Sequence, residues 1–202
     1  MECATLWGEF CGRIWLRWGA GIKLVIEGEE NIPDSGPYVI LANHQSEWET
    51  LFLPRVTRPA SIVVKKSLTK IPFYGWALSL AHSIAVDRSS PKGSIRQILK
   101  QGEKRILEGS NVLIFAEGTR VPPNTIGKYT KTGSKLAIQA GAPVLPIVHN
   151  SGDCWSPKRW FKPGEIALRI GPSISSDGKN AAELTKEVEQ WARENYPGEL
   201  NR

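Results

Sequence analysis

The 202-residue chain holds only three cysteines, three histidines and one methionine. Cys3, Cys11 and Cys154 are an odd set with no metal-ligand spacing, so they read as reduced thiols in a cytosolic setting. With so few thiols and imidazoles, neither a metal site nor another cofactor is expected. Long apolar runs are missing too. The two longest uncharged stretches, Ile71 to Val86 and Leu136 to Gly152, fall short of the roughly 18 to 20 apolar residues that span a bilayer, and polar or helix-breaking residues interrupt both. A secretory leader is not visible, because Glu2, Glu9 and Arg13 stand where a basic start and an unbroken apolar core belong. There is no Gly-x-Ser-x-Gly elbow, which argues against a serine lipase or thioesterase. Low-complexity tracts and repeats are absent, and 41% hydrophobic against 23% charged residues fits one ordinary globular domain. Acidic residues are the minority, 20 against 26 Lys and Arg, and the formal charge of +6 favours an anionic partner: nucleic acid, a lipid surface or a phosphorylated substrate.

What is present alternates. Apolar, β-branched runs at Lys23 to Glu27, Tyr38 to Ala42, Ser61 to Val64, Ile84 to Val86, Val112 to Phe115, Val144 to Val148 and Ile166 to Ile170 read as strands, each bounded by Gly, Pro, Asn or charge. Helical patterns lie between them: near Ser46, over Ile71 to Leu80, through Ile95 to Leu107, over Leu136 to Ala140, and through Leu184, Val188 and Trp191. The reading is an α/β fold with a mostly parallel central sheet flanked by helices, comprising residues 21–202. Residues 1–20 form a separate amphipathic helix in this reading. Trp7, Phe10, Cys11, Ile14, Trp15 and Trp18 recur on one face with Arg13 and Arg17 elsewhere, a pattern that suits the membrane interface. Packing of that aromatic face on the domain is the alternative. "WSPKRWFK" at Trp155 to Lys162 is a second candidate contact with an anionic membrane, or else a loop tucked against the last strand.

In such sheets ligands bind beyond the carboxyl ends of the strands. Those positions carry Asn43-His44, Lys65-Lys66, Asp87-Arg88, Glu117-Gly118-Thr119-Arg120 and His149-Asn150, which together suit an anion held beside a general base. The sharpest stretch is "NHQSEWET". On an ideal helix residues five apart diverge, so His44 and Glu49 meet only if His44 precedes the helix. Ser46 to Glu49 has the form of a capping box, with Ser46 as N-cap and the Glu49 carboxylate turned back toward His44. That geometry serves capping alone, or a proton-transfer pair in which the carboxylate fixes one imidazole nitrogen while the other takes a proton from a substrate hydroxyl.

"NHQSEWET" resembles the His-x4-Asp/Glu motif of the glycerophospholipid acyltransferases, and "FAEGTR" at Phe115 to Arg120 resembles their Phe-Pro-Glu-Gly-Thr-Arg motif. "KKSLTKIPFYGWALSLAHSIAVDRS" from Lys65 and "GAPVLPIVHNSG" from Gly141 agree in order and spacing, and the four blocks together are most similar to the bacterial 1-acylglycerol-3-phosphate acyltransferases. The resemblance implies His44 as general base and Glu49 as its orienting partner. It implies that Glu117, Gly118, Thr119 and Arg120 hold the glycerol phosphate with help from Lys65, Lys66 and Arg88, and that Pro146 shapes the acyl pocket. It implies lysophosphatidic acid as acceptor, acyl-CoA or acyl carrier protein as donor, direct attack without an acyl-enzyme, a backbone N–H near His44 as oxyanion donor, and a peripheral or monotopic place on the cytoplasmic face of the membrane. Nucleic acid is not an expected partner. Another lysolipid acceptor, thioester hydrolysis and non-catalytic lipid binding are the rival functions. Ala116 stands where the family has Pro, which is expected to loosen that turn, and Glu49 stands where many members have Asp.

Overall fold

The computed structural model describes residues 16–87, 89–155 and 161–200. The stripe at Trp7 to Trp15, Arg88 and the 156–160 part of the second aromatic patch lie outside the described residues. Seven strands, β1 (Ile22–Glu27), β2 (Val39–Ala42), β3 (Ala60–Lys65), β4 (Ile84–Val86), β5 (Asn111–Phe115), β6 (Val144–His149) and β7 (Gly164–Ile170), alternate with helices. Besides a single helical turn at Leu16–Gly19, where Leu16 is buried and Trp18 exposed, the helices among the described residues are α1 (Trp48–Val56), α2 (Tyr74–Leu80), α3 (Pro91–Leu107), α4 (Thr132–Ala140) and α5 (Ala181–Glu194). Each expected strand forms within a residue or two of its apolar run. The reason is visible in burial: every residue of β2 and β6 is buried, so these strands needed apolar side chains on both faces.

The strands form one sheet in the order β1-β7-β6-β2-β5-β3-β4. β4, β3, β5, β2 and β6 run parallel, whereas β7 is antiparallel to β6 and carries β1 parallel to itself. Consequently the carboxyl ends of β2 to β6 share one edge, and those of β1 and β7 point to the other. Side chains alternate between two cores. Ile40, Ala42, Leu113 and Ile147 face Trp48, Phe52 and Leu53 of α1. Val39, Leu41, Val112 and Ile114 face Ile106 of α3, Leu136 of α4 and Leu184 and Val188 of α5.

Local chemistry sets the helix ends. At α3, Ser90 accepts a hydrogen bond from Gly93 N at 3.2 Å and Pro91 occupies the first turn. At α5, Asn180 accepts from Ala182 N and Glu183 N while Glu183 accepts from Asn180 N, a complete capping box. α2 is held differently: a Cβ on Gly75 would sit 2.1 Å from the Thr69 carbonyl oxygen, so only glycine lets this helix rest on the 3-10 turn Lys66–Lys70.

Candidate active site

β2 delivers Asn43 and His44 to the shared strand edge, where α1 begins. The capping box expected there forms only in part. α1 starts at Trp48, whose N–H donates to Ser46 Oγ, and the Ser46 hydroxyl itself donates to Glu49 Oε2. Glu49 Oε1 does reach back, accepting Gln45 N and Ser46 N at 2.7 Å each and lying 2.9 Å from His44 Nδ1. Ser151 Oγ, from the end of β6, donates to Glu49 Oε2 at 2.8 Å. Glu49 is fully buried. Burial raises its carboxyl pKa, but a pull from His149 that acts when that ring is protonated and the hydrogen bonds from His44 and Ser46 outweigh it, and the group lies well below the usual carboxylate range. An ionised Glu49 accepts the Nδ1 proton, so Nε2 is the basic nitrogen of His44. The ring is fixed on its other side by stacking on Phe115, with centroids 4.0 Å apart.

The second block is tied to the first through backbone. Glu117 Oε2 accepts His44 N at 2.8 Å, Oε1 accepts Gly127 N at 2.7 Å, and Val121 N donates to His44 O at 2.8 Å. Glu117 thus braces the His44 peptide and the loop beyond it. Burial pushes its carboxyl up to about 7 against the pull of those two N–H donors. Gly118, at φ 73, turns the chain out of β5. Ala116 N donates to Ala42 O at 2.9 Å, so this departure from the family proline adds a rung between β5 and β2 instead of loosening the turn.

A cavity of about 640 Å³ opens at this edge. Its lining includes the polar and charged side chains of His44, Glu47, Lys65, Thr119 and Arg120 and the apolar ones of Leu51, Ile62, Val64, Leu68, Leu78 and Phe115. The structure therefore brings His44, Lys65, Thr119 and Arg120 to one space, from β2, β3 and the loop after β5. It does not bring all the expected residues there. Lys66 is exposed on the neighbouring 3-10 turn and is not part of the lining, and neither the buried Glu117 nor the exposed Gly118 lines the cavity. Pro146 is buried in β6, paired with Leu41, and does not line the cavity; its missing N–H falls where the β6–β7 ladder ends. The N–H groups of His44, Gln45 and Ser46 are already taken by Glu117 and Glu49, so the expected oxyanion donor is not among those three.

Two residues, Glu47 and Ser151, escaped the sequence reading, and His149 was read there only as one of the strand ends facing an anion. Glu47, at the helix start, makes an ion pair with Arg120 at 2.7 Å. His149 is a buried brace: Asn43 Nδ2 donates to its carbonyl at 2.8 Å, its own N–H donates to Asn43 Oδ1 at 3.0 Å, and Nε2 lies 3.1 Å from Asn43 O. Burial, first of all, lowers the His149 pKa, consistent with a neutral ring that accepts Ser151 N at Nδ1. A Ser151 hydroxyl on the Glu49 carboxylate had no signal at all in the sequence, since 102 positions separate the two. Among the described residues there is no cluster of His, Cys, Asp and Glu fit for a metal, and no helix is long and apolar enough to cross a membrane.

A histidine held by a buried carboxylate, in the wall of a cavity lined by both cationic and apolar side chains, can accept a proton from a hydroxyl placed in that space. The family model Acyltransferase matches residues 23–150, and the chain belongs to that family. It is 47% identical, over 93% of its length and 74% of the relative's, to the 1-acyl-sn-glycerol-3-phosphate acyltransferase of Pseudomonas aeruginosa. With the Saccharomyces cerevisiae protein of the same name it shares 33% identity over 78% of this chain, which spans about half (53%) of that longer relative. The crystal structure of the 1-acyl-sn-glycerophosphate (LPA) acyltransferase PlsC from Thermotoga maritima superposes with a TM-score of 0.80 at 26% identity, covering 96% of this chain and 78% of that one.

Proposed function

We propose that this acyltransferase moves a fatty acyl group from a thioester of CoA or acyl carrier protein to the free hydroxyl of 1-acylglycerol-3-phosphate, giving phosphatidic acid. The observation that carries the reading is His44 Nδ1 at 2.9 Å from the buried Glu49, in a wall of the cavity that Arg120 also lines. The names of the Pseudomonas and yeast relatives support the choice of acceptor.

In this mechanism Nε2 of His44 takes the hydroxyl proton as the oxygen attacks the thioester carbonyl carbon. Glu49 stabilises the imidazolium that results, since its charge faces Nδ1–H in a dry site. The tetrahedral adduct then collapses, the C–S bond breaks, and the imidazolium proton passes to the departing thiolate. Products are the new ester and a free thiol. Arg120 and Lys65 hold the acceptor phosphate, the guanidinium through paired N–H groups and the ammonium as a point charge. Leu51, Ile62, Leu68 and Leu78 receive acyl chain. The setting is the cytoplasmic face of a membrane, with the enzyme attached peripherally.

The test is thiol release from a long-chain acyl thioester, with and without lysophosphatidic acid. Release that depends on the lysolipid supports transfer. Release without it indicates hydrolysis, and no release indicates lipid binding alone; either result contradicts the proposal.

A further inference from the structure

We propose that the outward apolar stripe formed by Trp76 and Leu80 of α2 and by Phe73 just before it is a surface that lies against an anionic lipid bilayer. A helix on a globular domain turns its apolar side chains inward. α2 does so with Leu78, but Phe73 is 76% exposed, Trp76 62% and Leu80 82%, with Ile71 beside them at 47%. Trp76 and Leu80, four residues apart, share one face of the helix, and Phe73 just before the helix joins them through its ring contact with Trp76. Phe73 and Trp76 meet edge to face with centroids 5.1 Å apart, so the two rings form one raised plate. The backbone also commits Phe73 to this position: its φ is 62, a conformation that bulky side chains rarely adopt and that needs compensation elsewhere. Adjacent large apolar residues exposed in this way mark a contact surface, and Trp and Phe are suited to the head-group region.

Charge complementarity selects the partner. Lys65, Lys66 and Lys70 are exposed on the segment that runs into α2. Asp87 is the acid that feels both Lys66 and Lys70, and it leaves the segment net positive. Aromatic residues interleaved with lysines fit an apolar boundary covered by phosphate groups, the surface of an anionic bilayer.

The inner side of the same segment explains why such a contact matters. Lys65, Leu68 and Leu78 line the cavity, so the stripe is the outer face of a wall whose inner face meets the substrate. This part of the argument rests on the acyl-transfer reading of the site: a lipid leaving the bilayer beside Trp76 enters the cavity without crossing open water.

The test uses the full chain and sedimentation with vesicles of phosphatidylcholine and phosphatidylglycerol. The parent should bind reversibly, more weakly as salt is raised. Phe73→Ser, Trp76→Ser and Leu80→Ser together should weaken vesicle partition by more than about tenfold while acyl transfer to a soluble short-chain acceptor continues. Lys66→Ala with Lys70→Ala should remove most of the salt dependence. In the unaltered chain, hydrogen exchange over 71–80 should slow on adding vesicles, a readout that does not depend on how the triple variant folds. Parent-like sedimentation of a folded triple variant, or unchanged exchange over 71–80, overturns the proposal. So does a dimer in sedimentation velocity that the triple variant abolishes, since a second copy then covers the stripe. A parent that binds vesicles through α2 yet shows no acyl transfer supports this surface while contradicting the proposed reaction.

Discussion

Glu47 Oε1 and Arg120 Nη1 lie 2.7 Å apart in the lining of the cavity. Both side chains are more than 40% exposed (43% and 44%), so the pair contributes only about 0 to 1 kcal/mol, and a phosphate dianion can take the guanidinium from it. Glu47 is then a competitor for the phosphate ligand and a like charge beside the substrate. Glu47→Gln should lower KM for a phosphate-bearing acceptor by about two- to fivefold and leave the KM of the thioester donor unchanged. Steady-state kinetics with both substrates varied checks it, and a higher acceptor KM contradicts the competition.

Arg120→Ala acts in the opposite direction. Loss of a charge-assisted contact should raise the acceptor KM by about 10- to 100-fold, with a much smaller effect on the donor. Equal weakening of both substrates in a folded variant places Arg120 outside the phosphate site.

Glu49→Gln separates structure from chemistry. An amide oxygen still accepts Gln45 N and Ser46 N, and its NH2 can donate to the Ser46 and Ser151 hydroxyls, so the loss of stability should stay near 1 to 2 kcal/mol. The charge that stabilises an imidazolium is gone, and kcat should fall by at least about 10²-fold. Denaturant unfolding and kcat measured together resolve the two effects. Full turnover in a folded variant makes Glu49 a brace and nothing more.

The two buried carboxylates predict opposite pH effects on stability. Glu117 has its folded pKa raised to about 7, above the ordinary 4.5, so folding binds a proton; the stability tied to it is present below 4.5 and lost as pH rises through about 7. Its slope is at most about 1.4 kcal/mol per pH unit. Glu49 has its folded pKa depressed, so its contribution is present above 4.5 and lost in acid. Across pH 5 to 8 the urea midpoint of the parent should decline relative to that of Glu117→Gln, the opposing rise from the depressed His149 being common to both. An identical slope in both assigns the titration to another group.

Gly75→Ala should move α2. The added Cβ cannot share space with the Thr69 carbonyl, which belongs to backbone and has nowhere to rotate, so a loss of about 1 to 3 kcal/mol is expected. Parent-like unfolding would show that the 66–75 segment adjusts freely.

The strands were legible because burial on both faces demanded unbroken apolar runs such as Val39 to Ala42, and the strand edge carrying His44 followed from their order. The reversal of β1 and β7 was not, since pairing direction leaves no mark in short apolar runs. His44 and Glu49 could be paired from sequence because both lie within one turn of a helix start. Glu47 with Arg120, Glu117 with the His44 peptide and Ser151 with Glu49 could not, because side chains from separate loops meet only through tertiary packing. α2 shows the limit of periodicity most clearly: Phe73, Trp76, Leu78 and Leu80 all read as helix, but hydropathy does not say that three of them face outward.

The central claim is that His44 takes the acceptor proton, and the most direct measurement is lysolipid-dependent thiol release by the parent and His44→Ala side by side, with circular dichroism confirming the fold. The account predicts a rate lower by about 10² to 10⁴ in the variant, with parent-like unfolding. A folded His44→Ala protein that transfers acyl groups within about twofold of the parent contradicts it, because an effect so small is less than a general base supplies.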